Sequence, residues 1–274
     1  MTAPNDSTPN HSVATTSPVR LPRTAAFGPG SGGQPRLLID APAGAAEIYL
    51  HGATVTSWIP RGGSEVIFTS RQAVFDGATA IRGGIPLCLP EFGVGINGNA
   101  VPKHGWARIA PWRLRTVTST DDGGVRALLS VSRDRLTALY EVEVGQTLRL
   151  GLSLRNDGTE PRTVEAAAHT YLSVHDVTAS VISGLDAAAY SDNLARNPQE
   201  SRRVQEGDVK ISGPVDRIYD SAAPIAVIDP GRRRTIRIDK RNAPSTIVWN
   251  PWSTYSTPLP DMADDEFPTM VCVE

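Results

Sequence analysis

Apolar and polar residues alternate along much of the chain after about residue 35. The clearest alternation covers residues 147–156, where leucine occupies every second position from 148 to 154 and arginine, glycine and serine lie between. A period of two is typical of a β-strand with one solvent-facing side, whereas a helix would spread the leucines around its circumference. The pattern therefore predicts a strand over this segment.

Further short runs rich in apolar and β-branched residues occur along the chain, at 46–50, 125–132, 162–174, 234–239 and 245–250. Glycine, proline, aspartate and asparagine separate these runs, as expected for turns between strands. Strands do not alternate with helical patterns, and we find no long amphipathic helix after residue 33. The sequence predicts an all-β fold of two packed antiparallel sheets in a single domain, residues 34–274.

The N-terminal segment differs from the rest of the chain in composition. Residues 1–33 are rich in threonine, serine, proline, asparagine and glycine and contain few large apolar side chains. Such a segment buries too little apolar surface to repay the entropy lost on ordering. We therefore predict that residues 1–33 form a flexible tail.

Charge and cysteine content narrow the class of protein. The net charge of −2 provides no basic field, so we expect neither nucleic acid nor a membrane as a partner. An anionic ligand would need a local cluster of arginine or lysine. Cys88 and Cys272 each lie in an apolar run and resemble core thiols, which favours a reducing compartment. With no signal-peptide pattern and no long apolar stretch, the sequence predicts a cytoplasmic protein.

The segment from Arg82 to Arg108 does not follow the strand pattern. It is dominated by glycine, proline and asparagine, yet it also contains Lys103 and His104. Long irregular segments within compact domains are usually functional, although a solvated surface loop is the alternative. Arg82 precedes two glycines, so the backbone can approach a ligand while the guanidinium binds phosphate oxygens, and Arg108 provides a second guanidinium.

Histidines offer candidates for acid–base chemistry. His169 lies in the apolar segment 162–174, where an imidazole needs either a partner in the core or a ligand. We assign structural roles to His51 and His175. The spacing of histidines matches no metal-binding motif, and no GxSxG motif is present, so we predict neither a metal site nor a serine nucleophile. A metal site assembled in space from distant residues stays a minor alternative.

Six sequence strings resemble, in this order, the hexose-6-phosphate mutarotase branch of the aldose 1-epimerase family: AIRGGIPLCLPEFG, KHGWAR, HTYLSV, PVDRIYD, VWNPW and MADDEFPTMVCVE. The resemblance extends from about residue 35 to the last residue. It implies a galactose-mutarotase-like β-supersandwich that interconverts the α and β anomers of a hexose 6-phosphate, with glucose 6-phosphate as the expected substrate. It also implies that no cofactor or metal takes part, and we expect a monomer.

The resemblance implies roles for individual residues. His169 corresponds to the general acid of the family and Glu274 to its general base. Opening a hemiacetal requires a proton delivered to the ring oxygen and another removed from the anomeric hydroxyl, which suits one imidazole and one carboxylate. The remaining matched positions correspond to substrate-binding residues: Arg82, Lys103, His104, Arg108 and Asp216.

Three departures from the family pattern leave alternatives open. Lys103 replaces a common glutamine and would strengthen phosphate capture, whereas Glu91 would weaken it if it faced the same pocket. Family members continue beyond the position of Glu274, so either the sequence is truncated or the base lies on a frayed terminus. The alternative function is therefore a non-catalytic sugar-phosphate-binding protein. A glycoside hydrolase using Asp216 and Glu274 is a weaker alternative, because it gives the arginines no role.

Overall fold

The computed structural model describes residues 19–257 and 259–274, which form strands connected by turns and loops. Helical structure in this part of the chain is limited to α1 (Trp252–Ser256) and four single 3₁₀ turns, at Ser31–Gly33, Ala107–Ile109, Pro198–Glu200 and Phe267–Thr269. No helix within these residues is long and apolar enough to cross a membrane. The prediction of an all-β fold is confirmed.

Twenty strands are present in the described residues. The first ten are β1 (Ala25–Pro29), β2 (Pro35–Ala41), β3 (Gly44–Tyr49), β4 (Val55–Pro60), β5 (Leu87–Cys88), β6 (Arg113–Ser119), β7 (Val125–Arg133), β8 (Leu136–Val144), β9 (Leu148–Asn156) and β10 (Ala167–Ala168). The second ten are β11 (Tyr171–Ser173), β12 (Val181–Ser183), β13 (Ala189–Asp192), β14 (Arg202–Val204), β15 (Val209–Lys210), β16 (Val215–Tyr219), β17 (Ile225–Asp229), β18 (Arg234–Ile238), β19 (Thr246–Asn250) and β20 (Met270–Val273).

These strands form antiparallel sheets, as predicted, but they divide into five hydrogen-bonded sheets within the described residues instead of two. The spatial orders are β1-β2-β3-β4, β6-β7-β8-β9, β15-β12-β17-β18, β11-β20-β19-β16-β13-β14 and β5-β10. Many strands have only two to five residues. Short strands end their ladders early, so the chain passes from one sheet to another several times.

The alternating leucine segment forms β9, as predicted. Its leucines are half-buried and the residues between them are exposed. They pack against the main hydrophobic core, in which β8 contributes the fully buried Tyr140 and Trp112 lies near its ring, with centroids 6.1 Å apart. A sheet with one face on the core and one in water accounts for the period of two in the sequence.

The structure differs from the predicted bounds of two segments. Segment 162–174 forms β10 and β11 with His169 and Thr170 between them, because β10 pairs with β5 whereas β11 pairs with β20. Part of the predicted tail is ordered, since β1 pairs along its whole length with β2. Backbone hydrogen bonds to an existing sheet edge stabilise this strand despite its few large side chains. Residues 1–18 of the predicted tail lie outside the described residues.

Candidate active site

One face of the six-stranded sheet carries a row of polar and aromatic side chains. In the pairing between strands, Asp216 lies opposite Trp249, Trp249 opposite Cys272, and Cys272 opposite Tyr171. Residues directly paired in antiparallel strands place their side chains on the same face. Glu274 follows Cys272 by two residues, so its side chain is directed to that face as well.

Glu274 is held firmly at the edge of this row. Its backbone N–H donates to the carbonyl of Ile247 at 3.0 Å, and the N–H of Ile247 donates back to the Glu274 carbonyl at 3.1 Å. The side chain of Glu274 is 1% exposed. The alternative that Glu274 lies on a frayed terminus therefore does not hold, because its backbone is paired and its side chain is buried.

His169 meets Glu274 across the junction between β10 and β11. Its Nδ1 lies 3.1 Å from Oε1 of Glu274, and its backbone N–H donates to the carbonyl of Pro86 at 2.9 Å. The imidazole stacks on Tyr171, with ring centroids 4.8 Å apart and planes at 14°. Nδ1 of His169 and both carboxylate oxygens of Glu274 are buried, and none of them has a hydrogen-bond partner among the described residues. Both groups therefore have unused hydrogen-bonding capacity.

Burial dominates the protonation of this pair. Desolvation raises the pKa of Glu274 well above its ordinary value, and Asp216 raises it further while an arginine opposes. Desolvation also lowers the pKa of His169 well below its ordinary value, and His104 and two arginines lower it further. Both shifts favour the uncharged forms, a protonated carboxyl at Glu274 and a neutral imidazole at His169.

His104 lies next to His169, with ring centroids 5.9 Å apart. The backbone N–H of Gly93 donates to its Nδ1 at 3.2 Å, and the Cys88 sulfur lies 3.4 Å from the same nitrogen. Desolvation, followed by the charges of Arg108, Lys103 and Arg82, lowers the pKa of His104 to about 3. A neutral imidazole that accepts at Nδ1 carries its proton on Nε2, and this N–H can donate to a sugar oxygen.

We expect both site histidines to stay neutral through the physiological range. In side-chain nitrogen NMR, His104 and His169 should show neutral-imidazole shifts from about pH 8 down to about pH 5. An unperturbed histidine would take up a proton within this range. His104 should also show the tautomer with its proton on Nε2. The single variants His104→Asn and His169→Asn assign the signals. Titration of either ring with a midpoint near its ordinary value would contradict the dominance of burial over the protonation of these two rings.

Two arginines line a cavity of about 220 Å³ beside the pair, together with His169 and Tyr171. Nη1 of Arg82 donates to the Tyr171 hydroxyl at 3.1 Å, and its Nε donates to Oδ1 of Asp261 at 3.1 Å. Nη2 of Arg108 donates to the backbone carbonyl of Lys103 at 2.9 Å. A guanidinium has five N–H donors, so these bonds leave donors on both arginines for an anion.

The three other residues singled out in the sequence occupy different positions. Asp216 is partly buried and accepts a hydrogen bond from Asn193 Nδ2 at 2.8 Å. Desolvation raises its pKa, against the opposing effects of Asn193 and Lys103. Lys103 itself is exposed. Glu91 lines a separate cavity of about 310 Å³ with Arg162, so it does not face the arginines of the smaller cavity.

A metal ion could be held, among the described residues, by His169, Cys272 and Glu274, because one ligand atom from each lies within 4.8 Å of the others. The thiol of Cys272 is fully buried, and desolvation raises its pKa well above the ordinary value. Metals bind the thiolate form of cysteine, so a metal at this position would have to displace the thiol proton.

Sequence reasoning missed two residues of the cavity, Tyr171 and Asp261. Tyr171 follows His169 by two residues, a spacing that signals a shared strand face, but it had no partner to suggest a role. Asp261 begins an acidic run in which Asp261 and Glu266 are buried while Asp264 and Asp265 are exposed. The one-letter sequence does not distinguish these four acids, because only the fold determines which of them face inward.

Comparisons with known proteins identify the family of this chain. The sequence pattern of the family described as Aldose 1-epimerase matches residues 35–274. The chain belongs to the aldose 1-epimerase family. A protein of Cenchrus ciliaris named "Putative glucose-6-phosphate 1-epimerase" is 34% identical over 248 residues, covering 84% of this chain and 74% of that protein.

Solved structures of similar proteins have the same fold as this chain. The crystal structure of YeaD from Salmonella typhimurium, described as a "putative mutarotase", superposes with a TM-score of 0.84 at 27% identity, covering 93% of this chain and 86% of that one. A galactose mutarotase-like protein from Clostridium acetobutylicum has a TM-score of 0.68 at 12% identity, covering 91% and 86%. The galactose-mutarotase-like fold is confirmed, and the family assignment supports a sugar epimerase or mutarotase activity.

Proposed function

We propose that the protein interconverts the α and β anomers of a hexose 6-phosphate, with glucose 6-phosphate as its substrate. The observation that carries this proposal is the contact of 3.1 Å between His169 and Glu274, beside a cavity lined by Arg82 and Arg108. A proton donor, a proton acceptor and two cationic groups are the parts that anomer exchange on a sugar phosphate requires.

Ring opening transfers two protons. His169 donates a proton to the ring oxygen as the bond from C1 to that oxygen breaks, and Glu274 accepts the proton of the anomeric hydroxyl as C1 becomes an aldehyde. Rotation about the C1–C2 bond presents the other face of the aldehyde. Reclosure reverses both transfers, so protons and electrons balance with no redox cofactor.

The free site starts with the shared proton on Glu274, and the short contact between the two side chains explains how the roles are established. Transfer of this proton to Nδ1 of His169 leaves a carboxylate and an imidazolium, the states that ring opening needs. The imidazolium then donates from Nε2 to the sugar. Burial opposes charged forms individually but penalises an adjacent ion pair less, so bound substrate needs to supply only part of the cost.

The remaining residues orient the sugar in this proposal. Arg82 and Arg108 bind the phosphate, with Lys103 adding positive charge from the exposed side. His104 donates from Nε2 to a sugar oxygen, and Asp216 accepts hydrogen bonds from sugar hydroxyls. His51 supports the site indirectly, since its Nε2 bonds the carbonyl of Thr79, a residue that lines the cavity.

The direct test measures anomer exchange of glucose 6-phosphate by NMR exchange spectroscopy, with glucose as the neutral comparison. We expect the protein to accelerate exchange of the phosphate ester much more than that of glucose, and to do so equally with and without a metal chelator. Calorimetric binding without acceleration would instead support the non-catalytic binding alternative. Equal acceleration of both sugars would contradict the phosphate role of the arginines.

A further inference from the structure

We infer that two buried carboxylates, Asp261 and Glu266, position Arg82 for its phosphate contact. The inference rests on the proposed function, since it concerns how the phosphate ligand is oriented. Neither carboxylate needs to touch the substrate for this role. Both lie in the acidic run 261–266, which returns to the site from the far end of the chain.

Asp261 contacts Arg82 directly. Its Oδ1 accepts from Nε of Arg82 at 3.1 Å, and the side chains are 24% exposed for the arginine and 10% for the aspartate. The Tyr171 hydroxyl accepts from Nη1 of the same guanidinium at 3.1 Å. These two bonds, made by different nitrogens, restrict rotation of the planar group and hold it at the cavity that Arg82 lines.

Glu266 connects the segment that carries Asp261 to the segment that carries Arg82. Its Oε2 accepts from the backbone N–H of Ala263 at 2.9 Å and from the Ser70 hydroxyl at 2.7 Å, and its Oε1 accepts from the backbone N–H of Arg71 at 2.8 Å. The backbone N–H of Ser70 in turn donates to the carbonyl of Arg82 at 3.0 Å. The buried Glu266 is thus a brace between the two segments.

The charge of Asp261 makes the inference testable by the sign of the effect. A carboxylate beside Arg82 partly neutralises the guanidinium, so electrostatics alone predicts that removing the charge would tighten phosphate binding. If Asp261 instead positions Arg82, a variant that removes this contact should weaken phosphate binding. It also predicts little change for asparagine, whose carbonyl oxygen can still accept from Nε of Arg82.

We therefore expect Asp261→Ala to raise KM for glucose 6-phosphate about 10-fold, the order for one lost charge-assisted hydrogen bond, with kcat within about 3-fold. Asp261→Asn should keep KM within about 3-fold of the unchanged protein. Glu266→Gln should raise KM as well. The three groups that contact Glu266 all donate hydrogen bonds, and the carboxamide of glutamine has one accepting oxygen fewer than a carboxylate. None of these variants should alter KM for glucose.

Asp265→Ala is the matched control, since Asp265 belongs to the same acidic run but pairs with Arg71 at an exposed site. It should leave both kinetic constants unchanged. In an Arg82→Ala background, Asp261→Ala should have no further effect if it acts through that arginine. A lower KM for Asp261→Ala, an equal effect on glucose, or full additivity with Arg82→Ala would overturn the inference.

Two further measurements separate the possible failures. If the unchanged protein does not bind glucose 6-phosphate in calorimetry, the proposed function fails, whatever the variants do. If it binds normally and Asp261→Ala binds equally well, only the inference fails. Thermal melting identifies any variant that does not fold. If Asp261→Ala does not fold, the comparison of Asp261→Asn with Glu266→Gln still tests the inference. It requires that Glu266→Gln have the higher KM for glucose 6-phosphate.

Discussion

Glu274→Gln is expected to lose almost all acceleration of anomer exchange while the protein stays folded. Glutamine keeps the size of the side chain and its place on the sheet edge, but it neither accepts the anomeric proton nor supplies the proton that His169 needs. General acid–base groups contribute on the order of 10²- to 10⁴-fold in rate, so we expect a loss in this range. NMR exchange spectroscopy at saturating glucose 6-phosphate measures it.

His169→Asn tests the partner residue and should cause a loss of similar size. Because the two groups pass one proton between them, the double variant should be little slower than either single variant. Binding of glucose 6-phosphate in calorimetry should persist in both, which separates lost chemistry from a lost site. Exchange at the rate of the unchanged protein in either single variant would remove these residues from the mechanism.

Loss of both arginines of the cavity is expected to abolish the preference for a phosphorylated sugar. A hydrogen bond to a charged group contributes about 1.5–3 kcal/mol, so Arg82→Ala and Arg108→Ala should each raise KM for glucose 6-phosphate about 10- to 100-fold. The double variant should treat glucose and glucose 6-phosphate almost alike. Steady-state kinetics with the two sugars in parallel gives the ratio.

Arg162→Ala provides the control for general charge effects. Arg162 lines the larger cavity and donates to the carbonyl of Asp134, so it lies at a different place from the proposed phosphate ligands. Its removal should change neither sugar's KM. Selectivity that survives in the double arginine variant would mean that the phosphate binds elsewhere, with the exposed Lys103 as the next residue to test.

Some features of the site were predictable because they depend on local sequence. The glycine and proline content of segment 82–108 predicts an irregular functional segment, and this segment places Arg82 and Arg108 at the cavity and His104 next to His169. The strand period of two was correctly predicted for β9. By contrast, the tail boundary was wrong because an edge strand such as β1 gains its stability from backbone pairing with β2, which composition does not reveal.

Residue types and their spacing were sufficient to predict the all-β class, the position of the long irregular segment and, through resemblance, which histidine and glutamate to consider. The folded chain was needed to establish that His169 and Glu274 touch, that Glu91 faces another cavity, and which acids of the run 261–266 turn inward. Those facts depend on pairing between distant strands and on burial, which change the distances and pKa values of groups that a linear pattern treats as alike.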